Sequence, residues 1–383
     1  MQKYDVIIVG AGAAGLAAAA VAISRGRNVA IIDMGDVPAR KVVASGGGRC
    51  NFTNSAVAAN RYFGINPNFV RGAIARTTPF DILAWATAHN IQFVEKAPGQ
   101  YFTKHGAKDI ATALINDAHG AEILMQTSVI SIHKDSCVFN IKTNRGMYSA
   151  TSVIIATGGT SFPTLGVSDF GYVVAKQFGH KIIPIRPALC AIATKCFSSE
   201  LAGISIDVEI TVGREIIRDA MLFTHFGIGG PAVYRTTVCD FDDISINFAP
   251  GIDVYAMLTD AKHKSGRKSV AGILAEFLPT RLAKWICSDN KHIADYRDAE
   301  LRTIANKVQH VSVPKNEIKL HGMQSAEVVR GGVDTSQISS KTMESKLCQG
   351  LFFVGEVLDI SGDLGGFNLH WAWASGRTAG ANA

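Results

Sequence analysis

YDVIIVGAGAAGLAAAAVAISRGRNVAIID, residues 4–33, is the stretch of this 383-residue chain that decides the fold. The short apolar run 4–9 is typical of a buried parallel strand, and the Ala-rich segment after it predicts a helix. Between them, Gly10, Gly12 and Gly15 form the pattern GxGxxG. The first glycine permits a tight turn, the second lets the backbone approach a pyrophosphate, and the third lets the helix pack closely on the strand.

An acidic residue at the end of the next strand strengthens this interpretation. Residues 29–32 predict a second strand, and Asp33 follows it, 18 residues after Gly15. A carboxylate at this position accepts hydrogen bonds from a ribose hydroxyl. The strand, the glycine-rich turn, the helix and the acidic strand end together predict an α/β dinucleotide-binding domain.

The same region has a competing membrane interpretation, because residues 6–24 carry no charge. A membrane-spanning helix needs about 20 apolar residues, but here three glycines fall at fingerprint spacing and strand patterns lie on both sides. A secretory leader is disfavoured as well, since no basic segment precedes the apolar run and Asp5 interrupts it. We therefore expect a cytoplasmic protein without a membrane partner.

The composition is that of a well-packed protein with two or three domains. Hydrophobic residues make up 47% of the chain and charged residues 18%, and 383 residues are too many for one ordinary core. The seven cysteines are an odd number and include no CxxC pair, which argues against a disulfide framework, a zinc site or a dithiol redox centre. We expect reduced thiols and no bound metal.

Most of the net charge of +6 lies in one segment, because residues 255–320 contain 12 Lys or Arg against 7 Asp or Glu. Such an excess is either the solvated surface of ordinary helices or an electrostatic footprint for a polyanion such as RNA. Under the second interpretation, the candidate RNA-binding residues are Lys264, Arg267 and Lys268, together with Lys104 and His105 of a separate basic loop.

Hydrophobic periodicity indicates an interrupted first domain. Alternation over 122–132 and 137–143 predicts antiparallel strands with a turn near 144–146, followed by a buried strand at 153–156. Such a meander beside a parallel sheet is typical of the FAD version of the fold. Short alternating runs and then the helical spacing of 255–309 indicate insertions. The expected domains are an FAD-binding domain (1–188 and 326–383), a β-rich domain (189–253 with 310–325) and a basic helical domain (254–309).

The segment SGGGRCNFTN at 45–54 offers several backbone N–H groups with no side chain in the way, which suits a ring system or a phosphate. Arg49 and Asn51 add further donors. Cys50 has two interpretations, which we hold open. It is either a small buried apolar residue or a thiol near a flavin edge that donates a proton to a substrate carbanion.

Two later strand ends are expected to contact the same cofactor. Thr157 and Gly158 end one strand, where the meander returns to the sheet. Glu356 ends another and is placed to accept hydrogen bonds from a polyol such as ribityl. The glycine-rich loop 362–366 then opens a helix over 370–379, whose N-terminus would stabilise negative charge on a reduced flavin ring.

These motifs, with ATGGTSFPTLG at 156–166 and LFTHFGIGGPA at 222–232, resemble the BaiN/RdsA family of FAD-dependent oxidoreductases nearly end to end. The family includes bile-acid reductases, aminoacetone oxidases and ribosomal RNA dihydrouridine synthases. The resemblance is greatest to the proteobacterial branch of the last group. It implies an α/β fold with an FAD-binding Rossmann-type (glutathione-reductase-like) domain, interrupted by a β-barrel-like domain and a helical domain.

The resemblance also implies which residues bind the cofactor and where the chain departs from the family. The implied FAD contacts are Gly10, Gly12, Ala14, Gly15, Asp33, Arg40, Lys41, Gly47, Asn51, Val129, Thr157, Glu356 and Asn368. The glycine-rich loops add Ser45, Gly46, Arg49, Gly158, Gly365 and Gly366. The chain has His370 where Gln is expected, and Thr103 where a Pro is expected after Phe102.

The implied reaction is reduction of a uridine C5=C6 bond to dihydrouridine in large-subunit ribosomal RNA. Hydride would pass from reduced flavin to uracil C6 and a proton to C5, with Cys50 as the candidate donor. NAD(P)H is the candidate reductant, and ribosomal RNA or its precursor is the expected partner. Two alternatives stay open: a flavin oxidase or ene-reductase of a small metabolite (an amine or an enone), and an RNA-binding assembly factor with structural FAD.

Overall fold

The computed structural model describes residues 1–240 and 242–383, which form two compact units. The first unit comprises residues 1–187 and 327–383, and the second comprises residues 188–326. A finer division of the second unit into a β-rich and a helical domain stays a prediction. None of the helices in the described part of the chain is long and apolar enough to cross a membrane.

The first part of the chain alternates strands and helices. Its strands are β1 (Gln2–Val9), β2 (Val29–Ile32), β3 (Asn51–Asn54), β4 (Tyr62–Phe63), β5 (Phe93–Ala97), β6 (Gln100–Thr103), β7 (Glu122–Leu124), β8 (Val129–Asp135), β9 (Val138–Thr143), β10 (Gly146–Ile155) and β11 (Ile182–Ala188). Its helices are α1 (Ala13–Ser24), α2 (Arg40–Gly48), α3 (Arg71–Arg76), α4 (Pro79–Ala88), α5 (Lys108–Asp117) and α6 (Phe170–Gln177).

The second unit is β-rich, and most of its helices lie between β16 and β17. Its strands are β12 (Ile192–Ala193), β13 (Ser205–Val212), β14 (Glu215–Thr224), β15 (Gly227–Gly229), β16 (Ile244–Asn247), β17 (Val311–Val313) and β18 (Lys319–Leu320). Its helices are α7 (Pro231–Val238), α8 (Val254–Lys264), α9 (Val270–Leu274), α10 (Thr280–Ile286) and α11 (Asp298–Gln309). The chain then returns to the first unit with β19 (Val328–Val333), β20 (Leu351–Phe353), β21 (Ser361–Gly362) and α12 (Phe367–Gly380).

The main sheet of the first unit has the strand order β7-β2-β1-β10-β9-β8, and β20 also pairs with β10. The strands β7, β2, β1, β10 and β20 run parallel, whereas β8, β9 and β10 form an antiparallel meander. The central strand β1 is buried over most of its length, as expected for a parallel strand covered on both faces. The predicted meander is therefore confirmed at β8–β10.

The prediction of one antiparallel strand over 122–132 is wrong. Residues 122–124 form β7, which pairs in parallel with β2, and the chain then turns before β8 begins. The turn is held by the segment after β2, because the backbone N–H of Thr127 donates to the carbonyl of Asp33 at 2.9 Å. These contacts join residues about 90 positions apart, so the alternation within 122–132 did not reveal the break.

Helix α12 packs against α1 backbone to backbone. A Cβ at Gly376 would lie 2.3 Å from the carbonyl oxygen of Ala14, and one at Gly380 would lie 2.2 Å from that of Ala18. Glycine at these two positions therefore lets the helices approach more closely than any side chain would permit. This packing fixes the first helix of the dinucleotide fold against the last helix of the chain.

The second unit is built on a seven-stranded antiparallel sheet with the order β17-β16-β13-β14-β15-β12-β18. Alternate residues of β13 are buried, which confirms the strand predicted from the alternation of its sequence. The helical spacing predicted over 255–309 is confirmed by α8, α9, α10 and α11.

Candidate cofactor site

The turn between β1 and α1 has no room for side chains at two of its glycines. Gly10 has φ +114°, and a Cβ there would lie 2.4 Å from the carbonyl oxygen of Ala156. A Cβ at Gly15 would lie 1.9 Å from the carbonyl oxygen of Gly10. These two glycines therefore serve the packing of strand, turn and helix, as the fingerprint predicts.

Gly12 is different, because a Cβ there would meet no described atom within 4 Å. The residue immediately precedes α1, and the first turn of that helix contains no acidic residue. The first N–H groups of a helix lack partners within the helix and carry the positive end of its dipole. The open space at Gly12 and this helix end have the geometry that the phosphates of a dinucleotide need, and their role as a phosphate site stays a prediction.

Asp33 organises the neighbouring end of the site. Its carboxylate accepts the N–H groups of Ala11 and Gly35, each at 2.7 Å, and lies 3.4 Å from the guanidinium of Arg40. The backbone of Asp33 also holds the turn that leads to Val129, the first residue of β8. Each carboxylate oxygen has more than one acceptor position, so Asp33 retains capacity for a ribose hydroxyl.

The segment 45–48 forms the broken end of α2 rather than a free loop. The helix loses its geometry at Ser45, and Gly46, Gly47 and Gly48 follow with φ of +58°, +64° and +81°. Three consecutive left-handed residues favour glycine strongly. A Cβ at either Gly47 or Gly48 would meet no described atom within 4 Å, so the backbone here faces open space as predicted.

Cys50 is completely buried immediately after this segment. Its N–H donates to the carbonyl of Ser45 at 3.1 Å, and its backbone is left-handed with φ +43°. Burial raises the pKa of the thiol to about 12, and a hydrogen bond with the Ser45 side chain opposes this shift. The thiol therefore keeps its proton at neutral pH, which fits both interpretations of Cys50. A proton-donor role for it stays a proposal.

Thr103 anchors the same segment from β6. Both its N–H and its hydroxyl donate to the carbonyl of Arg49, at 2.9 and 2.8 Å, while the Arg49 side chain is exposed. The N–H of Ala107 donates to the carbonyl of Gly48 at 2.8 Å. A proline at position 103, as in the family pattern, would lack the N–H of this arrangement.

Glu356, Lys41 and Ser161 form a polar cluster where the sheet's strands end. The ammonium of Lys41 lies 2.7 Å from one Glu356 oxygen and 2.8 Å from the hydroxyl of Ser161. The other Glu356 oxygen accepts the N–H of Val329 at 3.0 Å and the Ser161 hydroxyl at 3.3 Å. The structure thus brings Lys41 and Glu356 together. The Glu356 carboxylate already has Lys41, Ser161 and Val329 as partners, so a ribityl hydroxyl would be a further one.

The loop before α12 is held by Asn368, whose side-chain oxygen accepts the N–H of Gly362 at 2.8 Å and whose amide donates to the Gly362 carbonyl at 3.0 Å. Gly365 and Gly366 are left-handed, with φ of +105° and +93°. A Cβ at Gly366 would lie 2.8 Å from the side-chain oxygen of Asn51. The amide of Asn368 therefore closes this loop, and the N-terminus of α12 lies beside Asn51.

Two buried polar atoms in these segments have no hydrogen-bond partner among the described residues: the side-chain oxygen of Asn51 and the hydroxyl oxygen of Thr157. Leaving a buried polar group unpaired costs about 1–3 kcal/mol, so such atoms commonly await a ligand or water. The Asn51 amide itself donates to Gln100 at 2.9 Å. With the open glycines and the α1 terminus, these atoms fit FAD, which has anionic phosphates in its middle and a ring system with polar edges at each end.

Several expected contacts serve packing as well. Ala14 is buried, and its carbonyl faces Gly376 of α12. Gly158 is left-handed with φ +72°, and a Cβ there would lie 4.0 Å from a carboxylate oxygen of Glu356.

Across residues 1–240 and 242–383, we find no cluster of three or more His, Cys, Asp or Glu side chains suited to a metal ion.

His370 is a structural residue that the sequence did not explain. It is fully buried in the first turn of α12, where one ring nitrogen lies 2.9 Å from the Thr53 hydroxyl and the other 2.8 Å from the carbonyl of Thr77. Burial lowers the pKa of the imidazole to about 4, so the ring is neutral at pH 7. His370 therefore ties α12 to β3 and to the end of α3.

The candidate RNA-binding residues lie in two places. Lys264 ends α8, and Arg267 and Lys268 follow it before α9 begins. Lys264 pairs with Asp260 and Lys268 with Glu276, each at 2.9 Å. Lys104 and His105 belong to the other unit and are exposed. Ion pairs between exposed side chains are weak, so these lysines remain able to contact phosphates.

Comparison with known proteins supports the family resemblance. Residues 4–382 match the model of the HI0933-like protein Rossmann domain. The chain is 36% identical over 390 residues to a ribosomal RNA dihydrouridine synthase of Escherichia coli (strain K12), covering 98% of this chain and 96% of that protein. It is 38% identical over 393 residues to the protein of the same name from Haemophilus influenzae (strain ATCC 51907 / DSM 11121 / KW20 / Rd), covering 98% and 97%.

A solved structure shares the fold at low sequence identity. A 3-ketosteroid-delta4-(5alpha)-dehydrogenase from Rhodococcus jostii RHA1 superposes with a TM-score of 0.50 and 13% identity, covering 99% of this chain and 96% of that chain. The family match and this shared fold confirm the expected α/β fold class with a Rossmann-type, FAD-binding domain. The family match and the named relatives confirm the expectation that the chain is an enzyme of an FAD-dependent oxidoreductase family. The chain belongs to the HI0933-like Rossmann-domain family.

Proposed function

We propose that this protein reduces the C5=C6 bond of a uridine in large-subunit ribosomal RNA to dihydrouridine, with FAD as its cofactor. The observation that carries the proposal is the end-to-end identity of 36–38% with two proteins named ribosomal RNA dihydrouridine synthase. The residues of the candidate cofactor site support it, because they provide the phosphate, ribose and ring-edge partners that FAD requires.

When bound and reduced, FAD would supply the hydride that adds to uracil C6. The residues of the chain would bind and orient it: the turn at Gly12 and the N-terminus of α1 would receive the phosphates, and Asp33 would accept a ribose hydroxyl. The N-terminus of α12 would favour negative charge on the ring. Lys41 lies 2.7 Å from a Glu356 carboxylate oxygen, and Glu356 is the proposed hydrogen-bond acceptor for the ribityl chain.

Cys50 is the proposed source of the proton that adds to C5. Its raised pKa keeps the thiol protonated at neutral pH, and the Ser45 hydroxyl lies beside it. Since Cys50 has no exposed surface, we propose that the Ser45 hydroxyl turns away from the Val42 carbonyl, gives its own proton to C5 and takes the thiol proton of Cys50 in exchange. NAD(P)H is the proposed source of the two electrons that restore the reduced cofactor.

Ribosomal RNA is the proposed partner, and the cations of the α8–α9 segment are its proposed phosphate contacts. Lys264, Arg267 and Lys268 lie in the part of the chain with the largest excess of basic residues. Such contacts anchor the RNA without reading its sequence. A uracil inside folded RNA must then be unstacked before it is reduced.

The proposal is tested by incubating the FAD-loaded full chain with ribosomal RNA from cells that lack the gene. Parallel reactions contain NADH, NADPH or no reductant, and nucleoside mass spectrometry measures dihydrouridine. We expect dihydrouridine only with a reductant. Gly12→Val should abolish it, because the new side chain enters the proposed phosphate space, where a Cβ meets no described atom within 4 Å.

The matched control is Ser24→Val, which adds the same side chain at the exposed far end of α1 and should retain activity. If the reduced, FAD-loaded protein leaves ribosomal RNA unchanged but consumes NAD(P)H or oxygen with an enone or an amine, the proposed substrate is wrong.

A further inference from the structure

The second unit, residues 188–326, carries an exposed aromatic pair that the cofactor site does not use. Phe226, within the motif LFTHFGIGGPA, stacks on His321 with ring centroids 4.4 Å apart and an interplanar angle of 11°. The Phe226 side chain is 42% exposed, and His321 is exposed as well. The stack joins two separate chain segments, and both of its residues keep exposed surface.

The backbone of the motif explains how the pair forms. Phe226 precedes β15 and His321 follows β18, the two strands that flank β12. Gly227 has φ +152°, and a Cβ there would lie 2.3 Å from the carbonyl oxygen of Ile192. Only glycine lets β15 approach β12 this closely, so the sequence Phe226-Gly227 holds Phe226 at the start of β15.

His321 is fixed on its own side of β12. Its N–H donates to the carbonyl of Ala191 at 2.9 Å, and its ring nitrogen lies 2.7 Å from the hydroxyl of Ser325. The Phe226 carbonyl in turn accepts the N–H of Thr194 at 3.0 Å. Both residues are therefore anchored through their backbones, and their rings are held against each other by the stack. Binding of a stacked ligand then costs little side-chain entropy of the protein.

The surroundings of the pair are basic. In the segments 191–197, 222–229 and 317–323, Lys195, Lys319 and His225 are exposed, and Glu317 is the one acidic residue of the sequence there. Exposed aromatic faces beside cations are the combination with which proteins bind single-stranded nucleic acid, because each base stacks and each phosphate is neutralised. Two lysines against one glutamate leave these segments with a small net positive charge, which favours a phosphate-bearing ligand.

We propose that Phe226 and His321 form a stacking platform for an unpaired base of an RNA ligand, with Lys195 and Lys319 beside its phosphates. The inference rests on the proposed function, since it names the contact by which the second unit holds single-stranded RNA. It adds a base contact to the phosphate contacts proposed for the α8–α9 segment.

The test measures binding of the FAD-loaded full chain to a fluorescein-labelled ten-nucleotide oligouridylate and to a duplex RNA of equal length. The test variant is Phe226→Leu, which keeps an apolar side chain and removes the aromatic face. Loss of one stacked base costs about 1–3 kcal/mol, so single-strand affinity should fall about tenfold. The slope of affinity against salt concentration should not change, because no phosphate contact is lost.

Phe226→Trp should restore single-strand binding, and Phe80→Leu is the matched control, since Phe80 is 78% exposed in α4 of the other unit. Unchanged oligouridylate affinity in Phe226→Leu overturns the inference, as does an equal loss for single strand and duplex. Normal oligouridylate affinity together with lost co-sedimentation with ribosomal particles would also overturn the inference, and it would indicate that the pair binds a protein. Loss of the gene without loss of dihydrouridine would contradict the proposed function alone, and the oligonucleotide result would still decide this inference.

Discussion

At the scale of single residues, the three fingerprint glycines have different roles. Gly10 and Gly15 have no space for a side chain inside the protein, whereas the space at Gly12 is open. The sequence pattern predicted all three positions, because its spacing follows from the turn and the helix. It did not predict that Thr103 would donate two hydrogen bonds to the Arg49 carbonyl, since these residues meet only through the pairing of β3 with β6.

Cys50 is expected to resist alkylation in the folded protein. Its pKa of about 12 lies above the ordinary value of 9.0, so the neutral thiol is favoured by folding. The stability that it contributes is present below about pH 9 and is lost as the pH rises toward 12. At pH 8, iodoacetamide should modify the exposed Cys137 and leave Cys50 unmodified, as peptide mass spectrometry will show. Equal rates for the two cysteines would contradict the buried placement.

At the scale of elements, the sequence predicted the buried strands and the glycine-rich turns but not every connection. The sequence SGGG at 45–48 indicated an open segment, and the structure shows it as the broken end of α2. The pairing of β7 with β2 and the anchoring of α12 by His370 depend on residues far apart in the chain. Periodicity is a local signal, and these contacts form only after the sheet has assembled.

His370 should make the wild-type protein sensitive to acid. Its folded pKa of about 4 lies below the ordinary value of 6.5, so its stability contribution is present above about pH 6.5 and lost as the pH falls toward 4. A shift of this size corresponds to roughly 3 kcal/mol. His370→Gln, the residue of the family pattern, removes the titrating group, so its free energy of unfolding should fall less between pH 7 and pH 4.

Chemical denaturation across this pH range measures the effect, and His133→Gln, which changes an exposed histidine, is the control. Parallel pH profiles for wild type and His370→Gln would show that the buried imidazole does not titrate as described.

At the scale of the whole molecule, the excess of basic residues in 255–320 could be read directly from the sequence. Its proposed role in RNA binding is tested by experiment. Replacing Lys264, Arg267 and Lys268 together with Gln should weaken binding to ribosomal RNA and flatten its dependence on salt. The control replaces Lys3, Arg27 and Lys142, three exposed cations of the other unit. If both triple variants lose equal affinity, the effect is one of net charge and the α8–α9 segment is not a specific footprint.

The central claim, uridine reduction in ribosomal RNA, is tested most directly in cells. Nucleoside mass spectrometry of large-subunit ribosomal RNA compares cells that have the gene, cells that lack it, and cells complemented with wild type, Gly12→Val or Ser24→Val. We predict that dihydrouridine disappears with the gene and returns with wild type and Ser24→Val, but not with Gly12→Val. An unchanged dihydrouridine signal in cells without the gene would contradict the claim.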